Sequence, residues 1–321
     1  MKRYVLRRLA YVVPLLLALS VFSFALGQLA PGDPARALLR QQLGHSPTDA
    51  QVARYRDRLG LDDAAVVQYG RWLANAAQGD LGTSFRTGDS VSASLLRSLP
   101  VTVKLSLLAF VIALGAAVPL GVLAALRHHQ PIDHASRVFA LAGASMPSFW
   151  FGYLLITAFA VRLDVFPTQG AASAVSYVLP GITLAVYALG VLVRLTRASM
   201  LDVLGDDFVL AARARGLPHR SVVVRHALRV ALNPVLTYSG LLIGALLGGA
   251  VIVETVFGMP GMGKLVVDAI NDRDFPIVQG FVLYFGALVL LVNLAVDLLY
   301  VVVDPRVRLV DAGQGAAHAA A

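Results

Sequence analysis

SMLDVLGDDFVLAARARGLPHRSVVVRHALR, residues 199–229, is a charged stretch in a chain that is otherwise mostly apolar. Within it, Arg213, Arg215, Arg220 and Arg225 would together cost over about 10 kcal/mol at the centre of a bilayer, at roughly 2.5–3.5 kcal/mol each. The stretch therefore lies outside the hydrocarbon. It is also patterned like two short amphipathic helices. Leu201, Leu204, Phe208 and Ala211/Ala212 share one helical face. Gly216 is a suitable helix end, and Pro218 suits the first turn of the next helix. There Val222, Arg225/His226 and Arg229 make a basic stripe beside Val223 and Ala227. Two readings stay open from the residues alone: a helix pair lying on anionic lipid, or a docking element for a partner.

Composition sets the solvent. Of 321 residues, 57% are hydrophobic and 14% charged. A soluble chain carries about 25% charged residues, so lipid is the main surroundings here. The net charge of +8 raises nucleic acid as a partner. In a membrane chain the placement of charge matters more than its sum, and no nucleic acid is expected. Cysteine is absent, which removes disulfides, thiolate metal sites and a Cys nucleophile.

Six apolar runs are long enough to cross: 9–30, 105–126, 138–161, 177–195, 231–253 and 277–303. The first follows MKRYVLRR and resembles a secretory signal, but at about 1.5 Å per residue it reaches roughly 33 Å, enough for a bilayer core. It is read as an uncleaved span. Pro14, Pro119 and Pro147 fall inside runs and are expected to be tolerated. Lys2, Arg3, Arg7, Arg8, Arg127, Arg137, the six arginines of 196–230, Arg306 and Arg308 fall on one side if the N-terminus is cytoplasmic. The short loops 162–176 and 254–276 carry only Arg162, Lys264 and Arg273. This bias predicts both termini inside the cell.

The expected architecture is all-α and polytopic, with six transmembrane helices. Its parts are 1–30 (tail and first span), 31–100 (an extracytoplasmic helical segment), 101–303 (five spans, with the cytoplasmic loop 196–230) and a cytoplasmic tail, 304–321. Residues 48–59 and 63–77 have helical spacing, and PGDPA (31–35) reads as a turn. Gly240, Gly244 and Gly248 repeat at intervals of four, which permits close helix approach within the chain or against a second membrane subunit. Asp297 is an intramembrane carboxylate, read as a structural anchor or a pathway residue.

Several motifs mislead. GMPGMGKL (258–265) has GxxxxGK, but Leu265 stands where a P-loop needs Ser or Thr, so no nucleotide site is expected. His128, His129 and His134 lack a HExxH pattern, and neither a metal nor another cofactor is expected. A secondary transporter needs ion-coupling carboxylates deep in the bundle, and the runs offer Asp297 alone.

DDFVLAARARGLPHRSVVVRHALRVALNPVLT (206–237) resembles the EAA loop of membrane permeases of ATP-binding-cassette importers, those for dipeptides, oligopeptides and nickel above all. PGDPA (31–35), RLGLDD (58–63), QYGRWL (68–73), GDLGTS (79–84) and SLPVT (98–102) resemble that family's first outer segment. ETVFGMPGMGKLVVDAINDRDFPIVQG (254–280) and VDLLYVVVDPRVR (296–308) resemble its last two signatures. One departure stands out: the loop's acidic first position is Leu210. The resemblance implies a type I importer fold without its own ATPase site. It implies a second homologous permease subunit, two cytoplasmic ATP-binding subunits and an extracytoplasmic substrate-binding protein as partners. The substrate implied is a peptide, or alternatively nickel or another small solute. It also implies that Asp207, Phe208, Ala211, Ala212, Arg213, Ala214 and Gly216 carry the contact with the ATPase.

Overall fold

The computed structural model describes residues 2–29 and 32–303, with side chains from 10 to 298 apart from 30, 31 and 297. The expected tail at 304–321 and the side chain of Asp297 lie outside the described residues. All named elements among the described residues are helices. Five helices are long and apolar enough to cross a membrane, or up to six if one bent pair counts as a single span. The chain divides into two compact units, Met1–Val101 with Pro260–Leu294 and Thr102–Met259 with Ala295–Ala321.

In the first unit, α1 (Lys2–Gln28) is followed by three short helices, α2 (Pro34–Leu43), α3 (Asp49–Leu59) and α4 (Ala65–Ala77). The turn signals around PGDPA lead into helix α2, which begins at Pro34. The Asp33 side chain accepts from the Ala35 N–H at 3.0 Å, Pro34 is the first helical residue and Gly44 ends the helix in the left-handed region. Thr48 and Gln51 form a capping box on α3. Helix α4 meets α1 through Phe24 and Tyr69, edge to face with centroids 5.5 Å apart, and through Ser20 Oγ and Tyr69 Oη at 2.8 Å.

The rest of this unit comprises the start of α5 (Val91–Leu126), α12 (Met262–Asn271) and the start of α13 (Phe275–Val303). Leu81, Val91, Leu95, Met262, Ala269 and Ile277 form its core. A Cβ at Gly280 would stand 2.5 Å from Val91 Cγ1, so glycine lets α13 and α5 approach. Buried Asp274 accepts from Ser84 Oγ and from the Phe85 N–H at 3.0 Å. The GDLGTS and NDRDFP stretches, 190 residues apart, thus satisfy each other's buried polar groups.

The second unit is arranged around α8 (Val178–Leu204), which is buried along much of its length. Pro180 occupies its first turn, where an N–H has no intrahelical partner to lose. The helix does not stop at 195 as expected but continues to Leu204. Its neighbours are α6 (Pro131–Ser145), α7 (Ser148–Leu155), which runs into a π-helical turn Ile156–Arg162, and α11 (Leu228–Val256). A Cβ at Gly190 would stand 2.5 Å from the carbonyl oxygen of Ala140, and one at Gly121 would stand 2.5 Å from Thr196 Cβ.

Two expectations fail here. The run 138–161 is not one straight helix: α6 and α7 are bent by 108° at Met146–Pro147. Met146 is extended, at φ −82° and ψ 126°, as a residue before proline prefers. The second charged helix also has no end at Arg229. His219–Ser221 (α10) passes through a π-helical turn, Val222–Ala227, directly into α11. Pro234 sits within α11 without ending it.

Candidate coupling site

Between α8 and α10 the chain makes one separate short helix, α9 (Asp207–Ala214). Gly205 ends α8, and Asp206 is extended at φ −70° and ψ 149° before α9 begins. Asp207 in the first turn and Arg213 in the last both suit the helix dipole. At the other end the Leu217 N–H reaches Ala212 O at 3.3 Å and the Gly216 N–H reaches Arg213 O at 2.9 Å. This is a Schellman end, and Gly216 takes its left-handed position at φ 76°.

Helix α9 has two distinct faces. Val209, fully buried, and Ala212, 7% exposed, pack into a cluster with Ala125, Met200, Val203, Val222, Val223, Ala227 and Ala231. That cluster draws on α5, α8, the π-helical turn and α11. Phe208 and Leu210 are 41% and 54% exposed, and Asp207, Ala211, Arg213, Ala214 and Gly216 are also exposed. The face expected from the sequence is therefore corrected in one respect. Ala212 points inward and supports the surface, while Phe208 and Ala211 belong to it. Leu210, where the related motif has an acidic residue, is an exposed apolar side chain.

A buried ion pair braces the same region. Asp133, at the start of α6, is fully buried and accepts from Arg197 Nε at 2.5 Å and Nη2 at 2.9 Å. The His129 N–H adds a bond to Asp133 Oδ2 at 3.1 Å. Arg197 lies on α8, three residues before Met200 of the cluster. The sequence reading counts Arg197 only among the arginines of 196–230 and does not single out Asp133. His134 lies against Arg137 through Nδ1 and Nη2 at 2.6 Å, and the His128 and His129 rings lie 3.8 Å apart, tilted by 39°. No group of three potential metal ligands occurs among the described residues.

The remaining candidates separate. Gly240 is buried against Val296, so it serves packing within this unit. Gly244 is half-buried, and Gly248 is exposed with open space around it. The GxxxG repeat therefore does not act as one seam inside the chain. A carboxylate missing from the sequence reading is Glu254. Helix α11 extends to Val256 and includes it, fully buried, with Thr102 Oγ1 donating to Oε1 at 2.6 Å. The GMPGMGKL stretch leads from the end of α11 into α12 with no strand before it.

A polytopic helical protein with a separate short helix packed by one face on its bundle is the class these features define. The family description "Binding-protein-dependent transport system inner membrane component" matches residues 117–309, and its N-terminal counterpart matches residues 1–106. The chain belongs to this family, the membrane subunits of binding-protein-dependent transport systems. A putative peptide transport system permease protein of Brucella abortus is 40% identical over 316 residues, covering 96% of this chain and 99% of that one. An oligopeptide transport system permease protein of Bacillus subtilis is 38% identical over 96% of this chain and all of its own length. A dipeptide transport system permease protein of Escherichia coli is 37% identical over 96% and 99%. Among solved structures, an inward-facing methionine ABC transporter aligns with a TM-score of 0.54 at 19% identity, over 65% of this chain and 96% of that chain. That likeness carries the fold alone, the type I importer permease fold.

Proposed function

We propose that this chain is the permease subunit of an ATP-driven importer of dipeptides and oligopeptides, with no ATPase site of its own. It forms half of a pathway whose other half is a second, related permease. The outward face of α9 docks on a cytoplasmic ATP-binding subunit, one of two. Both termini are cytoplasmic, and residues 31–100 lie outside, where a substrate-binding protein delivers the ligand. The names of the relatives support the peptide substrate. The positive-inside distribution supports the orientation.

One observation carries the reading: α9 exposes Phe208, Leu210 and Ala211 while Val209 and Ala212 pin its other side to three long helices. A push or pull on α9 reaches α5, α8 and α11 through that buried cluster. Closure of the ATPases on binding ATP draws the two coupling helices together and opens the pathway outward; hydrolysis resets it. The drive requires that the ATPases bind the two permease states with different affinity.

Truncating Phe208 and Leu210 together to alanine removes the two large exposed side chains of this face. In the reconstituted complex, peptide-stimulated ATPase activity and uptake are expected to fall at least about tenfold, since anchor residues of an interface contribute about 2 kcal/mol or more. Full stimulated uptake by the double variant removes α9 as the coupling surface. Stimulation by nickel chelates or another solute, and by no peptide of a panel, removes the substrate class.

A further inference from the structure

The first unit contains an open cavity of about 780 Å³ among α1, α2, α4 and the residues around α12 and α13. That volume lies within the roughly 300–1,000 Å³ typical of small-ligand sites. Five arginines line it, Arg40, Arg56, Arg71, Arg86 and Arg273, against two aspartates, Asp33 and Asp272. The carboxylates are already engaged. Asp33 caps α2 and pairs with Arg56 at 3.3 Å, and Asp272 pairs with Arg86. Arg56 and Arg71 further hold Asp62 and Asp63, at 2.7 and 2.8 Å. Among the described residues the Arg40 side chain reaches the Ser46 hydroxyl, at 3.1 Å, and neither Arg40 nor Arg273 has a carboxylate partner. Phe24, Trp72 and Phe275 supply apolar wall beside them.

A second, independent observation concerns the backbone at Arg273. Helix α12 ends in a Schellman turn: the Asp274 N–H reaches Ala269 O at 2.8 Å and the Arg273 N–H reaches Ile270 O at 3.2 Å. Arg273 thereby holds the left-handed position, at φ 57°. The equivalent position is glycine after α2, α3 and α9, at Gly44, Gly60 and Gly216. A long side chain there is strained, and such strain collects where the side chain has a task. The strained residue is also one of the two lining arginines, with Arg40, that have no carboxylate partner among the described residues.

We propose that this cavity binds the free carboxylate of a short peptide, with Arg273 and Arg40 as its anion-binding groups and the aromatic wall receiving the adjoining side chain. It is a contact site for the substrate on the permease itself, and it rests on the peptide-importer reading above. Arginine matches a carboxylate in geometry and charge, and a charged pair of this kind is stronger than a neutral hydrogen bond.

The test uses the assembled complex in nanodiscs of neutral lipid, without the binding protein, and a radiolabelled N-acetyl-Phe-Ala as free acid or C-terminal amide. The acid binds and the amide binds at least about tenfold more weakly. Arg273→Gly abolishes the preference for the acid while the complex unfolds at the same temperature or higher, because glycine relieves the backbone strain. Arg40→Gln weakens the acid in the same direction. Equal binding of acid and amide, or an unchanged preference in Arg273→Gly, overturns the proposal. Displacement of the acid by adding anionic lipid to the nanodisc also overturns it, since a lipid phosphate is then the occupant. If the complex imports no peptide yet keeps the acid preference, the importer reading fails and the cavity stands. If peptides are imported with no acid preference, the cavity alone fails.

Discussion

Arg197→Met is expected to destabilise the second unit by about 3–5 kcal/mol, the usual result of removing one partner from a buried ion pair. Asp133 has no exposed surface and its two strongest bonds come from Arg197, so the variant leaves a carboxylate buried with the His129 N–H and a distant Arg137 at 3.8 Å. Thermal unfolding of the purified complex measures the loss. The pair-replacing variant Asp133→Leu with Arg197→Met recovers most of it, because two apolar side chains incur no desolvation penalty. A single variant as stable as the parent means that the pair contributes nothing to the bundle. The loss of transport in Arg197→Met should follow from stability, since the pair braces the helix that supports α9 rather than forming its outer face.

Gly190→Ala attacks the same bundle by shape instead of charge. The added methyl meets the Ala140 carbonyl oxygen at 2.5 Å, and a backbone oxygen cannot rotate aside as a side chain does. Separation of α6 from α8 is the only relief, and overpacking of this kind costs about 1–3 kcal/mol. A fall in unfolding temperature and in yield of assembled complex is expected. Deleting the Ala140 side chain with glycine should not rescue it, because the obstacle is the main chain. Rescue by Ala140→Gly would show that the contact lies elsewhere.

Much of this fold is legible in the chain, for identifiable reasons. Long apolar runs mark α1, α5, α11 and α13 because lipid requires uninterrupted apolar helix. Gly216 marks the end of α9 because the left-handed position needs it. The shared face read from the sequence does not hold, for a geometric reason. A face drawn through Leu201, Leu204, Phe208 and Ala211/Ala212 assumes one continuous helix. The break at Gly205 and extended Asp206 resets the helical phase, and Val209 turns inward instead. Pro147 is misread because proline is tolerated in many spans, whereas here the preceding Met146 leaves the helix altogether. The Asp133–Arg197 and Ser84–Asp274 contacts join residues 64 and 190 positions apart, and no local pattern announces such pairs.

The exposed side of α9 is proposed to meet the ATPase, while its buried side packs on the bundle. The chain has no cysteine, so one placed thiol is the only one that this subunit contributes once the partner subunits are made cysteine-free. Ala211 is exposed and its neighbour Ala212 is 7% exposed and packed inward, a pair one residue apart on opposite sides of the contact. With a thiol-anchored photo-cross-linker on the assembled complex, Ala211→Cys should join the ATP-binding subunit, in a yield that changes when ATP is added. Ala212→Cys should not react in the folded complex. Cross-linking from position 212 and none from 211 would contradict the assignment of the faces, and none from either in an intact complex would contradict α9 as the coupling element.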